Sequence, residues 1–136
     1  MYVFHLKVCE EGWDEVHNSC YQLLFGQVAQ WTGRANCEKA GGRLALVSTS
    51  AEMDAVGGYM NSKGMSIIKG AWIDGTDAVT DGVWLSESGE EITYIKFMGL
   101  EPNGWGSENC LGISSTAASD NSCDGNGFIY YTLCEQ

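Results

Sequence analysis

Six cysteines constrain this chain more than any other feature of its sequence. They stand at positions 9, 20, 37, 110, 123 and 134. A structural zinc site usually needs Cys-x-x-Cys pairs or nearby histidines, but no such pair occurs and the two histidines are His5 and His17. An even number of well-separated cysteines therefore predicts disulfide bonds and an oxidising compartment. Six cysteines allow 15 complete pairings, and composition does not choose among them.

The length and charge of the chain narrow its class. A chain of 136 residues, 44% of them hydrophobic, is long enough for a single domain with its own core. Its net charge is −11, so we expect neither a nucleic-acid-binding nor an anionic membrane-binding surface. No apolar run is long enough to cross a membrane. A bound cation would neutralise part of the acidic excess, although solubility is its more common explanation.

The segment before Cys9 lacks the pattern of a secretory signal peptide, since it includes His5 and Lys7. We therefore expect the mature form of a secreted, extracellular protein. The loose alternation of residues 2–8 is typical of an edge strand.

A first helix is predicted over residues 28–40. Val28, Trp31 and Ala35 fall near one face at helical spacing, which we interpret as the core face. The glycine pair at 41–42 is a natural stop for this helix.

A second helix is predicted over residues 49–61. Thr49 and Glu52 have capping-box spacing, in which each side chain satisfies a main-chain amide that the first turn leaves unpaired. The residues expected on its core face are Met53, Val56 and Met60.

The second half of the chain has the pattern of strands and loops. An alternating segment at 92–97 precedes an irregular, glycine-rich stretch at 98–107. Short apolar runs are typical of core strands, and they lie at 44–47, 71–73, 83–85, 110–113 and 128–133. Two helices followed by strands predict an α+β fold, and a long loop within a compact domain is usually functional or disordered.

A set of ordered landmarks makes residues 9–135 resemble the C-type lectin domain. The landmarks are Cys9-Glu-Glu-Gly-Trp13, Ser19-Cys20-Tyr21, Trp31, Ala35, Cys37, Gly41-Gly42-Arg43-Leu44-Ala45-Leu46-Val47, Ser50, Glu52, Trp72-Ile73-Asp74-Gly75, Trp84, Glu101-Pro102-Asn103, Glu108-Asn109-Cys110, Cys123 and Cys134-Glu135. The resemblance implies one carbohydrate-recognition domain over residues 1–136, with two helices flanking small antiparallel sheets, paired terminal strands and a long calcium-binding loop region.

The resemblance also implies the disulfides and part of the core. The implied disulfides are Cys9–Cys20, Cys37–Cys134 and Cys110–Cys123. The tryptophans at the family's core positions are Trp13, Trp31, Trp72 and Trp84.

Four residues of the loop-rich half offer the hard oxygen ligands that calcium prefers, namely Glu101, Asn103, Glu108 and Asp120. Glu101-Pro102-Asn103 resembles the mannose-type motif of the family, in which the glutamate and asparagine bind calcium and also hydrogen-bond two adjacent sugar hydroxyls. In the family the bond before this proline is cis. The resemblance therefore implies Ca²⁺ as cofactor and mannose, glucose or fucose as ligand, with Glu108 and Asp120 also contacting both calcium and sugar.

One position departs from the family pattern. The family usually has an asparagine before the aspartate that corresponds to Asp120, and here that residue is Ser119. A hydroxyl is a weaker ligand for calcium and for sugar, so we expect weakened binding. Asn121 would take the role if the register shifts by one residue.

A second calcium position is suggested by Asp77 and Asp81, which match two acids of the family's auxiliary site, with a carbonyl contributed by Asn109. Solvated acids in a turn are the alternative interpretation. Trp105 would either stack on a sugar ring, which would allow galactose to bind, or pack under the loop.

No arrangement typical of an enzyme is present, since both histidines lie far from the loop carboxylates and no nucleophile or phosphate-binding motif occurs. We therefore predict a calcium-dependent lectin whose partners are glycans, with oligomeric display left open. The alternatives are a calcium-independent protein-binding module and an ice-binding relative.

Overall fold

A computed structural model describes residues 8–65, 69–99, 101–102 and 107–136. Its two helices and eight strands follow the order β1 Asp14–Val16, β2 Ser19–Phe25, α1 Gln30–Lys39, β3 Arg43–Leu44, α2 Ser50–Ser62, β4 Gly70–Thr80, β5 Val83–Leu85, β6 Cys110–Ile113, β7 Ala118–Asn121 and β8 Ile129–Glu135. The predicted α+β class is confirmed. The edge strand predicted at residues 2–8 falls almost wholly outside the described residues.

The strands form one connected sheet in the order β1-β2-β8-β4-β6-β7, with β3 added at β8 and β5 at β4. The N-terminal strand β2 pairs antiparallel with the C-terminal strand β8, from Tyr21 opposite Glu135 to Phe25 opposite Tyr131, as the resemblance implies. The pairing of β4 with β8 is parallel, so the sheet is mixed rather than purely antiparallel.

The capping box of α2 forms with one difference from the predicted pattern. The Thr49 hydroxyl accepts from the main-chain N–H of Glu52 at 3.1 Å. The Glu52 carboxylate accepts from the N–H of Ser48 at 3.2 Å, one residue before the cap. The predicted core residues Met53, Val56 and Met60 are all buried.

The predicted core face of α1 is wrong. Trp31 is 60% exposed, and the buried positions of this helix are Gln30, Gly33 and Cys37. Cys37 is bonded to Cys134 of β8, and a Cβ atom at Gly33 would lie 2.6 Å from the Thr132 hydroxyl oxygen. The helix therefore turns its disulfide and its glycine toward the sheet, because only a small residue fits there.

The other three tryptophans at family core positions, Trp13, Trp72 and Trp84, are buried as predicted. The structure also has the implied disulfides, which are Cys9–Cys20, Cys37–Cys134 and Cys110–Cys123. Neither described helix is long and apolar enough to span a membrane.

Two strand predictions need correction. The strand predicted at 44–47 is shorter, because only Arg43–Leu44 joins the ladder with β8. β7, with the sequence Ala-Ser-Asp-Asn, was not predicted, yet all four of its residues are buried and pair with β6. Its polar side chains hide the apolar alternation by which strands are usually found. This strand carries two of the predicted site residues.

Candidate metal centre and ligand cavity

Three carboxylates converge at one end of the sheet. Glu101, Glu108 and Asp120 each present an oxygen atom within 4.8 Å of the others. Asp120 is 3% exposed, and the two glutamates are half-buried. These are three of the four residues whose side chains the sequence predicts as principal calcium ligands.

The sheet and its neighbouring loops bring these carboxylates together. Asp120 lies on β7, opposite Leu111 of β6. Glu108 stands two residues before Cys110, where β6 begins, and the Cys110–Cys123 disulfide ties this strand to the segment after β7.

Main-chain hydrogen bonds hold the segment before Glu101 beside β7. The N–H of Met98 donates to the carbonyl of Ala118 at 2.9 Å, and the N–H of Ala118 donates to the carbonyl of Lys96 at 2.7 Å. A turn follows, in which the N–H of Glu101 donates to the Met98 carbonyl at 2.8 Å. The next peptide bond, Glu101-Pro102, is cis, as the family resemblance implies.

Burial and mutual repulsion act on the three carboxyl groups. Burial, a hydrogen bond with Asp120 and the charges of Asp120 and Glu108 raise the pKa of Glu101 from 4.5 to about 7. Burial and the charge of Asp120 also raise the pKa of Glu108. The Glu101 Oε2 atom is buried and has no hydrogen-bond partner among the described residues. Buried carboxylate oxygens are unfavourable without a partner, and a hard divalent cation is a partner that fits this donor set.

A cavity of about 220 Å³ opens beside the three carboxylates. Its lining residues are Met98, Glu101, Glu108, Ser119, Asp120, Asn121, Asn126 and Phe128. The polar groups can hydrogen-bond hydroxyls, while Met98 and Phe128 add apolar surface, which is the mixture that small polar ligands require. Sequence reasoning did not find Met98, Asn126 or Phe128, because no motif marks them.

Ser119 and Asn121 both line this cavity, but the side-chain amide of Asn121 is held by neighbouring protein groups. The side-chain carbonyl of Asn121 accepts from the Asn126 amide at 2.9 Å. Its NH₂ group donates to the carbonyl and the hydroxyl of Ser119, at 2.9 and 3.2 Å. Both ends of the Asn121 amide are therefore occupied by protein groups.

The residues of the second predicted calcium position line a much smaller cavity. A cavity of about 30 Å³ is lined by Asp77, Asp81, Gly82, Pro102 and Asp120. The Asp77 Oδ1 atom is buried without a hydrogen-bond partner among the described residues, and burial, with the nearby Asp81 charge, raises the pKa of this carboxyl.

The two predicted positions share Asp120, which lines both cavities. Asp77 and Asp81 are not part of the converging trio. The main-chain carbonyl of Asn109 accepts from the N–H of Asp77 at 3.2 Å. The predicted ligand Asn103 and the predicted stacking residue Trp105 lie outside the described residues.

The raised pKa of Glu101 predicts opposite pH trends for the calcium-free and calcium-bound protein. Its folded pKa of about 7 exceeds the ordinary 4.5, so this group contributes stability to the calcium-free fold at low pH and loses it as pH rises through 7. A calcium ion bound by Glu101 would have to displace this proton, so calcium affinity should fall about tenfold per pH unit below 7. Titration calorimetry and melting curves from pH 5 to 8 measure both trends, and Glu101→Gln should flatten them. Calcium affinity that does not change with pH would contradict a protonated Glu101.

Comparison with known proteins identifies the family. The family model of the lectin C-type domain matches residues 26–136. The chain is 29% identical to human C-type lectin domain family 3 member A over 119 residues, which cover 85% of this chain and 59% of that protein. The chain therefore spans less than two thirds of that relative's length.

Solved structures show the same fold. The carbohydrate-recognition domain of the mouse scavenger receptor C-type lectin superposes with a TM-score of 0.79 at 20% identity, covering 94% of this chain and 95% of that one. A calcium-independent type II antifreeze protein superposes with a TM-score of 0.76 at 20% identity, covering 95% and 94%.

The chain belongs to the C-type lectin domain family. Domains of this family usually bind calcium, and its members are generally binding proteins rather than enzymes.

Proposed function

We propose that this chain is a calcium-dependent carbohydrate-recognition domain, formed by residues 1–136 and specific for mannose-type sugars. One observation carries the proposal, namely the convergence of Glu101, Glu108 and Asp120 beside a cavity, with a buried Glu101 oxygen for which the described part of the chain provides no hydrogen-bond partner. With Asn103 from the mannose-type motif, these residues supply carboxylate and amide oxygens for Ca²⁺. Bound calcium would supply a positive centre that attracts two adjacent sugar hydroxyls.

The chain's own residues would orient the sugar. A carboxylate that binds a cation through one lone pair keeps others that accept from a sugar O–H, which is the role of Glu101 and Glu108. The Asn103 NH₂ group donates to a neighbouring hydroxyl. This order of acceptor and donor matches the equatorial vicinal hydroxyls of mannose, glucose and fucose. Stacking of Trp105 on the sugar ring would instead favour galactose.

A second calcium ion is proposed at Asp77 and Asp81, with the Asn109 carbonyl nearby. The buried Asp77 Oδ1 atom supports it, because no described residue hydrogen-bonds that oxygen and a cation would satisfy it. Pro102 and Asp120 also line this smaller cavity, so a bound ion would help to hold the loop that carries Pro102 beside Asp120.

Three disulfides support an extracellular site of action, since such bonds persist in oxidising compartments. With Ser119 in place of asparagine, binding by one domain should be weak. Glycan binding would then gain from display of several copies, in a homo-oligomer or on a larger chain.

Calcium-independent binding on the same fold is the second candidate. A specific observation favours it: Glu101 shares a hydrogen bond with Asp120, so a proton can hold these two carboxyls together without an ion. The similar antifreeze protein is described as calcium-independent, which shows that the fold does not require the metal.

Affinity chromatography with a chelator separates these functions. The chain should be retained on mannose-agarose in millimolar calcium, released by EDTA, and retained less on galactose-agarose. Glu101→Gln should abolish retention, because it removes a ligating charge. The matched control Glu90→Gln changes an exposed glutamate outside the cavity and should be retained like the unmodified chain. Retention that survives EDTA would reject calcium dependence, and stronger retention on galactose would reject the mannose assignment.

A further inference from the structure

Ser119 stands where the family usually has an asparagine, so the hydrogen-bonding group offered to a sugar at this position is different. An asparagine at this position would offer an NH₂ donor, whereas a serine hydroxyl can either donate or accept. Ser119 is 4% exposed, on β7, and lines the ligand cavity. The direction of its hydroxyl proton therefore decides whether the cavity gains a donor or an acceptor at this point.

Main-chain groups fix the orientation of the Asn126 amide. The N–H groups of Phe128 and Ile129 donate to the Asn126 Oδ1 atom, at 2.8 and 3.2 Å. A main-chain N–H can only donate, so the atom that receives both must be the side-chain oxygen. The Asn126 NH₂ group consequently points the other way, toward Asn121.

The orientation of the Asn126 amide determines the orientation of the Asn121 amide, which in turn determines the direction of the Ser119 hydroxyl proton. The Asn126 NH₂ donates to Asn121, so the receiving atom is Oδ1, at 2.9 Å. The Asn121 NH₂ then donates to the Ser119 carbonyl at 2.9 Å and to the Ser119 hydroxyl at 3.2 Å. The hydroxyl is thereby an acceptor toward Asn121, which leaves its proton to donate elsewhere. No acceptor for that proton is found among the residues that the structure describes.

The position of the Asn121 side chain depends on a glycine of the neighbouring strand β6. Gly112 of β6 is paired with Ser119, and a Cβ atom there would lie 2.7 Å from the Asn121 Nδ2 atom and 2.6 Å from the Ile129 Cδ1 atom. Asn121 itself is 2% exposed. Its amide fills space that any larger residue at 112 would take, so its position is tightly determined.

We propose that Asn121, held by Asn126, is a positioning residue that directs the Ser119 hydroxyl proton into the ligand cavity, where it donates a hydrogen bond to a sugar hydroxyl. This inference rests on the proposed carbohydrate binding and deepens it. A two-residue amide relay replaces the donor that an asparagine at position 119 would carry on its own side chain.

The test is a double-mutant cycle in which titration calorimetry measures the affinity for methyl α-mannoside in saturating calcium. Asn121→Asp accepts the Ser119 proton and reverses the relay, and Asn121→Leu removes it without adding charge. Each should weaken sugar binding about three- to tenfold, the value of one neutral hydrogen bond. In a Ser119→Ala background neither change should weaken sugar binding further, because the hydroxyl that they act on is absent.

A purely structural role for Asn121 would predict a different result. It would weaken sugar binding equally in the serine and alanine backgrounds, and it would lower calcium affinity as much as sugar affinity. Either result would overturn the relay, as would variants that bind the probe as tightly as the unmodified chain. Failure of the unmodified chain to bind the probe would overturn the proposed function together with the relay.

Discussion

Asp120→Asn should lower calcium affinity at least about 30-fold and abolish sugar binding. Asp120 presents an oxygen atom within 4.8 Å of those of Glu101 and Glu108, and it lines both the ligand cavity and the smaller cavity at Asp77. Removing one buried charge from a site that holds an opposite charge costs about 2–5 kcal/mol, and 1.4 kcal/mol corresponds to a tenfold change. Titration calorimetry with calcium, then with sugar in excess calcium, measures both losses.

The same substitution should stabilise the calcium-free protein, because Asp120 contributes to the raised pKa values of both glutamates. Its loss relieves repulsion among buried carboxylates. The melting temperature should therefore rise without calcium and fall below that of the unmodified chain with calcium. Opposite shifts of the melting temperature with and without calcium would distinguish the loss of a metal ligand from general damage to β7.

Asp124→Asn is the matched control, since it removes one exposed acid from the turn that follows the same strand. It should leave calcium affinity and both melting temperatures close to those of the unmodified chain. Calcium affinity of Asp120→Asn within about threefold of the unmodified value would show that the three carboxylates are not the metal centre.

The convergence of acidic residues could be predicted from the sequence because their chemistry and spacing resemble a family motif. Glu101 and Glu108 flank a glycine-rich loop near a cysteine, and a carboxylate is recognisable whether its residue lies on a loop or a strand. The strand that carries Asp120 could not be predicted. β7 is polar, and only its pairing with β6 and its position over the cavity explain its burial.

The relay residues and the orientation of α1 were missed for a different reason. Asn126 lies between two glycines, where an asparagine is ordinary turn chemistry. Its proposed role depends on its hydrogen bond to Asn121, which no sequence motif marks. Trp31 was placed in the core by apolar spacing, but α1 is oriented by its disulfide and by the contact of Gly33 with Thr132. A covalent bond and a close approach outweigh a weak apolar stripe.

Replacing Cys37 and Cys134 together with alanine should lower the free energy of unfolding by about 4–5 kcal/mol. The bond joins residues 97 positions apart, and the loop-closure entropy of such a loop in the unfolded chain corresponds to about 4.7 kcal/mol. Both cysteines are fully buried, so small cavities would add to the loss. For a chain of this length the melting temperature should fall by about 15 °C.

The site should be lost with this bridge even though it lies elsewhere on the sheet. Cys134 is on β8, and β8 is linked through β4 and β6 to β7, which carries Asp120. The matched control replaces Cys9 and Cys20, whose bond closes a loop of only 11 positions and should contribute about 3 kcal/mol or less. Urea unfolding followed by circular dichroism, with calcium binding at 10 °C as a second readout, compares the two variants. Equal losses of stability in the two variants would mean that loop length does not set the stabilisation.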